Sequence, residues 1–138
     1  MINSKVLVKA PASSGNMGSG FDCLGMALDW FSEFEFTFGL NVEGASKNNY
    51  SSSAQVISSM ASDAARYGLS RMGESEMGVS VIYRGDMPVG SGLGTSAMAR
   101  CAGVIAAAQV MERRVEDDEL FTIALELEGH ADNLYPAF

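Results

Sequence analysis

Residues 31–38 alternate cleanly, with Phe34, Phe36 and Phe38 on one side and Glu33, Glu35 and Thr37 on the other. A period of two predicts a half-buried antiparallel strand. A shorter β-rich run at 5–10 stops at Pro11, and Val79, Val81 and Tyr83 alternate in a third. Elsewhere the spacing is helical. Val56, Ile57, Met60, Ala61, Ala64 and Tyr67 predict a helix over 54–67 that Gly68 stops. A second, over 96–113, stays small along its length (Ala97, Ala99, Ala102, Gly103, Ala106, Ala107), so it can pack closely at the centre of the fold. Asp117 or Asp118 caps a third, with Leu120, Phe121, Ala124, Leu125 and Leu127 on its apolar side and its end at Glu128-Gly129. Residues 12–20 and 41–53 are small or polar and read as loops. Strands mixed with helices, without repeats or a linker, predict a single α+β domain.

Composition narrows the class. The chain is 47% hydrophobic and 19% charged over 138 residues, which suits a globular domain with a real core. Its net charge of −8 argues against a nucleic-acid partner or an anionic membrane. The same field repels phosphate, so an anion site here must lean on backbone amides and a metal. Cys23 and Cys101 are too few for a disulfide framework, and each reads as a small buried hydrophobe. The longest apolar run, near 102–111, is too short to span a bilayer, and the first residues lead straight into a strand. The expectation is a cytoplasmic protein.

The chemistry is concentrated in one stretch, Pro88-Val89-Gly90-Ser91-Gly92-Leu93-Gly94-Thr95-Ser96-Ala97. Three alternating glycines bare the backbone of a short loop, two hydroxyls follow, and then the small-residue helix begins. Bare amides feeding a helix N-terminus make an anion cradle. No lysine follows Gly94, which excludes a Walker A loop, and the Gly-x-Gly-x-Gly spacing does not fit a dinucleotide-binding turn. Taken singly, Thr95 or Ser96 is an ordinary helix cap. A second polar cluster, Glu128, His130, Asp132 and Asn133, comes just before the apolar Phe138.

Three stretches together resemble a known family. Lys9-Ala10-Pro11-Ala12-Ser13-Ser14-Gly15-Asn16-Met17-Gly18-Ser19-Gly20-Phe21-Asp22 is similar to the first motif of homoserine kinases, within the GHMP small-molecule kinase superfamily. Residues 88–97 resemble the superfamily's phosphate loop. Glu128-Gly129-His130-Ala131-Asp132-Asn133, followed by Pro136, is similar to the Glu-Gly-His-Pro-Asp-Asn signature of bacterial homoserine kinases. The resemblance implies a two-layer N-terminal kinase domain over 1–138, of the ribosomal protein S5 domain 2-like type, without the C-terminal ferredoxin-like domain.

It also implies roles. ATP would lie on Pro88, Val89, Gly90, Ser91, Gly92, Leu93, Gly94, Thr95 and Ser96, with Asn49 toward the adenine. Mg2+ needs only one or two protein oxygens, and by resemblance these are Ser96 and Glu128. Asn16, Asp22, His130 and Asn133 would hold L-homoserine. On residue type alone Asn16 and Asp22 also suit turns, although a carboxylate at Asp22 better suits an α-amino group, and a lone histidine is more often structural, although its place inside the signature favours substrate contact for His130. Asn133 stands where mevalonate kinases carry an aspartate base, and Ser13 where they carry lysine. An amide cannot accept a proton as a base does, so Asn133 and Glu128 would act by positioning and electrostatics.

Gly15, Ala131 and Leu134-Tyr135 depart from the family pattern, the last pair being bulkier beside the acceptor. The expectation is a homoserine kinase of the threonine route, a homodimer at full length, of which this chain carries half and is inactive alone. The readings kept beside it are a GHMP kinase for another small alcohol and a non-catalytic fragment or ligand sensor.

Overall fold

The computed structural model describes residues 3–42 and 52–138, and for Phe21 and Asp22 the backbone alone. Three antiparallel strands, β1 (Ser4–Met17), β2 (Gly20–Gly39) and β3 (Gly78–Arg84), form a sheet in the order β1-β2-β3. The alternation seen in the sequence sets its register. Val6, Phe36 and Val81 make one cross-strand row, and Val8, Phe34 and Tyr83 the next. These side chains are all buried, and the Phe34 ring lies 5.2 Å from Tyr83 and 6.3 Å from Phe36. On the opposite face Glu35 accepts hydrogen bonds from Lys5 (2.9 Å) and Arg84 (3.0 Å), first of all Lys5, and its carboxyl titrates below the usual carboxylate value.

Two helices cover the apolar face. α1 (Ser52–Arg71) lies over β3, and α2 (Thr95–Val110) lies over β1 and against α1. α3 (Asp117–Glu128) packs on the outside of α2, and the short α4 (Leu134–Ala137) closes the end beside β1. Sheet and helices make the two-layer α+β domain expected from the sequence. α3 starts with Asp117, Asp118 and Glu119 in its first turn, which suits the positive end of its dipole, so the cap is Glu116 and not Asp117 or Asp118 as the sequence suggests. It ends on Gly129 in the left-handed region, φ 79°. α3 is fastened to α1 by Glu126, which accepts from Tyr67 Oη (2.7 Å) and from both Nε and a terminal nitrogen of Arg71 (3.0 and 2.9 Å).

Three local expectations are corrected. Residues 12–20 do not form a loop but the far end of the β1–β2 hairpin, pairing Ser13 with Ala27, Ser14 with Met26 and Gly15 with Gly25. Small side chains suggest a loop in the sequence; in the fold they let the hairpin lie close on residues 131–136, where a Cβ on Gly25 would sit 2.3 Å from the Asp132 carbonyl. Pro11 is tolerated because β1 is an edge strand. Gly68 does not stop α1, which runs on to Arg71 and turns at Gly73 (φ 91°); a Cβ at Gly68 would be 3.1 Å from that of Ala107. Glycine is there for close helix packing. Cys23 is exposed, and only Cys101 is buried. Most of the 41–53 loop lies outside the described residues.

The tightest approach is at Gly103, where a Cβ would stand 2.4 Å from the Ala61 carbonyl oxygen and 2.8 Å from the Ala65 nitrogen. Backbone atoms cannot yield as side-chain ends do. Gly103→Ala is therefore expected to lower the unfolding free energy by about 1–3 kcal/mol, as overpacking does, in denaturant titration.

Burial, with a smaller contribution from the Glu128 charge, pushes the Cys101 thiol up to about 12 from 9.0. A raised folded value means stability that is complete below the unfolded value and is lost as the pH rises from 9 toward 12. At pH 8 a thiol reagent should modify Cys23 of the folded chain quickly and Cys101 only on unfolding; equal rates at both would contradict this packing.

Candidate active site

The loop between β3 and α2 is anchored at both ends. Tyr83 Oη accepts the Met87 amide at 3.2 Å and lies 3.0 Å from Ser32 Oγ, tying the loop entry to the sheet. Gly90, Gly92 and Gly94 adopt φ of 76°, 77° and 67°, left-handed conformations that side chains oppose. The cap of α2 is Gly94, with no side-chain cap bond, so neither Thr95 nor Ser96 caps the helix. Both sit inside the first turn, where their hydroxyls do other work. Thr95 Oγ1 donates to the Pro88 carbonyl at 2.9 Å, joined there by Ser91 Oγ at 3.2 Å, and this folds the loop back on itself. Ser96 Oγ donates to Glu128 Oε1 at 2.8 Å.

Ser13 joins the first motif to the other two. Its amide donates to the Leu93 carbonyl at 3.0 Å, and its hydroxyl donates to Asn133 at 3.0 Å (Oδ1) and 3.1 Å (main-chain oxygen). The fit leaves no room: a Cβ on Gly94 would be 2.0 Å from Ser13 Oγ, and one on Gly15 would be 3.2 Å from Asn133 Nδ2 and Asp132 Oδ2. Loop, β1 and the start of α4 therefore meet at Gly94, Ser13 and Asn133.

A cleft of about 260 Å³ opens over this junction. Its floor is the loop from Val89 to Ser96, and Glu128, Asn133, Val56 and Met60 form its walls. The structure thus brings Ser96, Glu128 and Asn133 together with the glycine loop. Asn16 is exposed at the hairpin tip (φ 54°), one residue beyond the Gly15 contact, and His130 is exposed just past α3. Asp22 belongs to β2, but its side chain is outside the description, and Asn49 lies outside the described residues altogether. A second opening of about 460 Å³ is lined by Leu24, Gly25, Asp132, Tyr135 and Pro136 among others.

Two contributions were missed in the sequence. Val56 has the spacing of a helix core position, yet it is 46% exposed and gives the cleft an apolar wall with Met60. Arg100 was passed over, yet it pairs with Glu128 Oε2. The spacing held a signal, because Arg100 is four residues beyond Ser96 and so on the same helix face.

Among the described residues no three His, Cys, Asp or Glu side chains gather into a metal cluster. One hydroxyl and one carboxylate 2.8 Å apart fit a cation such as Mg2+, which keeps waters and takes phosphate oxygens. No helix among the described residues is long and apolar enough to cross a membrane.

Comparison with known proteins places the chain in a family. Residues 55–138 match the family described as GHMP kinases N terminal domain. The chain belongs to the GHMP kinases. Within the GHMP kinases, a homoserine kinase of Clostridium botulinum is 34% identical over 136 residues, and one from Clostridium beijerinckii is 33% identical. The match covers 96% of this chain and 44% of each relative, so the chain spans less than half the length of these curated relatives. The crystal structure of homoserine kinase from Cytophaga hutchinsonii superimposes with a TM-score of 0.75 at 30% identity, over 96% of this chain and 45% of that one. The Methanococcus jannaschii mevalonate kinase shares the fold (TM-score 0.71) at 16% identity, over 97% of this chain and 51% of its own.

The junction in this GHMP kinase domain is open to test. Gly92→Ala adds a Cβ that meets nothing within 4 Å and should cost only the left-handed backbone penalty, about 1–2 kcal/mol. Gly94→Ala adds the clash with Ser13 to the same penalty and should unfold at clearly lower denaturant. Combining it with Ser13→Gly should recover part of that difference.

Proposed function

We propose that this GHMP kinase domain is the nucleotide-binding part of an ATP-dependent homoserine kinase, which phosphorylates the side-chain hydroxyl of L-homoserine on the route to threonine, in the cytoplasm. The observation that carries it is the meeting of Ser96, Glu128 and Asn133 around a left-handed glycine loop at the N-terminus of α2. The choice of acceptor is supported by the Glu128-Gly129-His130-Ala131-Asp132-Asn133 stretch and by the homoserine kinases among its relatives.

In this reading the loop amides and the positive end of α2 receive the phosphates of ATP, and Val56 and Met60 offer an apolar wall to the base. Ser96 and Glu128 would hold Mg2+, which supplies charge neutralisation on the phosphates when bound. Asn133, fixed by the Ser13 hydroxyl, orients the acceptor hydroxyl, while Asn16, Asp22 and His130 hold its amino-acid end. The acceptor oxygen bonds to the γ-phosphorus as the bridging bond to ADP breaks. Its proton leaves to a phosphoryl oxygen or water, because an amide takes none. Positioning and electrostatic stabilisation carry the rate in such a site.

The full-length protein should be assayed for ADP release against a panel of amino-acid and isoprenoid alcohols. Homoserine is expected to exceed mevalonate in kcat/KM by roughly 100-fold or more. Glu128→Gln should lower Mg2+-dependent turnover by about 100- to 1,000-fold while the fold persists. A protein that turns over other alcohols but not homoserine refutes the acceptor; one that turns over none refutes the enzyme.

A further inference from the structure

Arg100 is the one charged residue of α2, and the phosphate-binding reading makes no use of it. It follows Ser96 by one helical turn, so both side chains reach the same neighbour. That neighbour is Glu128. Ser96 Oγ binds Oε1 at 2.8 Å, and the Arg100 guanidinium pairs with Oε2, so two residues of one helix hold both carboxylate oxygens. The pair is largely withdrawn from water, with 28% of the arginine side chain and 13% of the glutamate exposed. Glu128 is also the last residue of α3, where the negative end of the helix dipole opposes a carboxylate. Arg100 supplies the compensating charge.

We infer that Arg100 is a positioning residue that clamps Glu128 against Ser96 and cancels its charge, so that the site takes a divalent cation together with a nucleotide and only weakly without one. This rests on the reading of Ser96 and Glu128 as the cation ligands. Without nucleotide, a cation approaching the cleft meets a neutral ion pair in place of a carboxylate, and the attraction is small. A bound triphosphate brings the missing negative charge. Removing the guanidinium leaves a largely buried carboxylate, held by Ser96 alone, that attracts the cation by itself but is less firmly oriented.

The test is titration of Mn2+, read by its electron spin resonance, into the full-length protein with and without a non-hydrolysable ATP analogue. Arg100→Met should raise the affinity for Mn2+ alone by roughly tenfold, the scale of one charge removed near a divalent ion. Its kcat should fall while the KM for ATP changes little. Arg100→Lys, which keeps the charge, should return Mn2+ affinity toward the parent value. Should Arg100→Met fail to fold, Arg100→Gln reads the same titration with a neutral hydrogen-bonding side chain.

Glu128→Gln separates the two readings. If it leaves Mn2+ binding unchanged with nucleotide present, Glu128 is no cation ligand and the underlying assignment fails. If it weakens that binding while the neutral Arg100 variant leaves Mn2+ affinity without nucleotide unchanged or lower, the role given to Arg100 is overturned.

Discussion

The closeness of α2 to α1 governs the rest of this structure. At Gly103 an added Cβ would stand 2.4 Å from the Ala61 carbonyl oxygen, and the alanines of α2 let α1 come close beside the fully buried Met98 and Val104. A helix packed that tightly against α1, the sheet and α3 can offer functional groups only at its ends and along one seam. Its N-terminal end is where the glycine loop enters. Its seam toward α3 carries Ser96 and Arg100, and both find Glu128. The small residues of the core therefore decide where the polar chemistry can be.

The site is assembled from distant segments held by few bonds. Ser13 comes from the edge strand, Leu93 and Gly94 from the loop, Asn133 from the start of α4, and a single serine connects them through its amide and hydroxyl. With a net charge of −8 and no lysine in the loop, the domain has little general attraction for phosphate. In the proposed reading, local dipoles and a cation provide it. The Arg100–Glu128 pair fits that economy, since it keeps a carboxylate in the cleft wall without adding net negative charge.

Much of this was legible from residue order. The strict alternation of Phe34, Phe36 and Phe38 has no comfortable helical solution, and each proved fully buried in the central strand. The small residues Ala97, Ala99, Ala102, Gly103, Ala106 and Ala107 suggested a closely packed helix, and all of them are buried in α2. Three glycines at alternate positions proved to be three left-handed residues. The 12–20 hairpin was misread because small residues signal a loop when alone and a close packing surface when something lies on them. Gly68 was misread for the same reason, as a stop in place of a contact. Cys23 and Val56 turned outward although their types suggested burial.

Local patterning thus determined the elements, their order, the glycine loop at the N-terminal end of α2 and the family resemblance, because backbone preference and hydrophobic period act over a few residues. Tertiary structure alone decided which side chains meet. Ser13 with Asn133 and Arg100 with Glu128 are 120 and 28 residues apart, and nothing in either segment encodes its partner. Those contacts follow from how the elements pack on one another, and that is set by the sum of many small van der Waals contacts across the whole core.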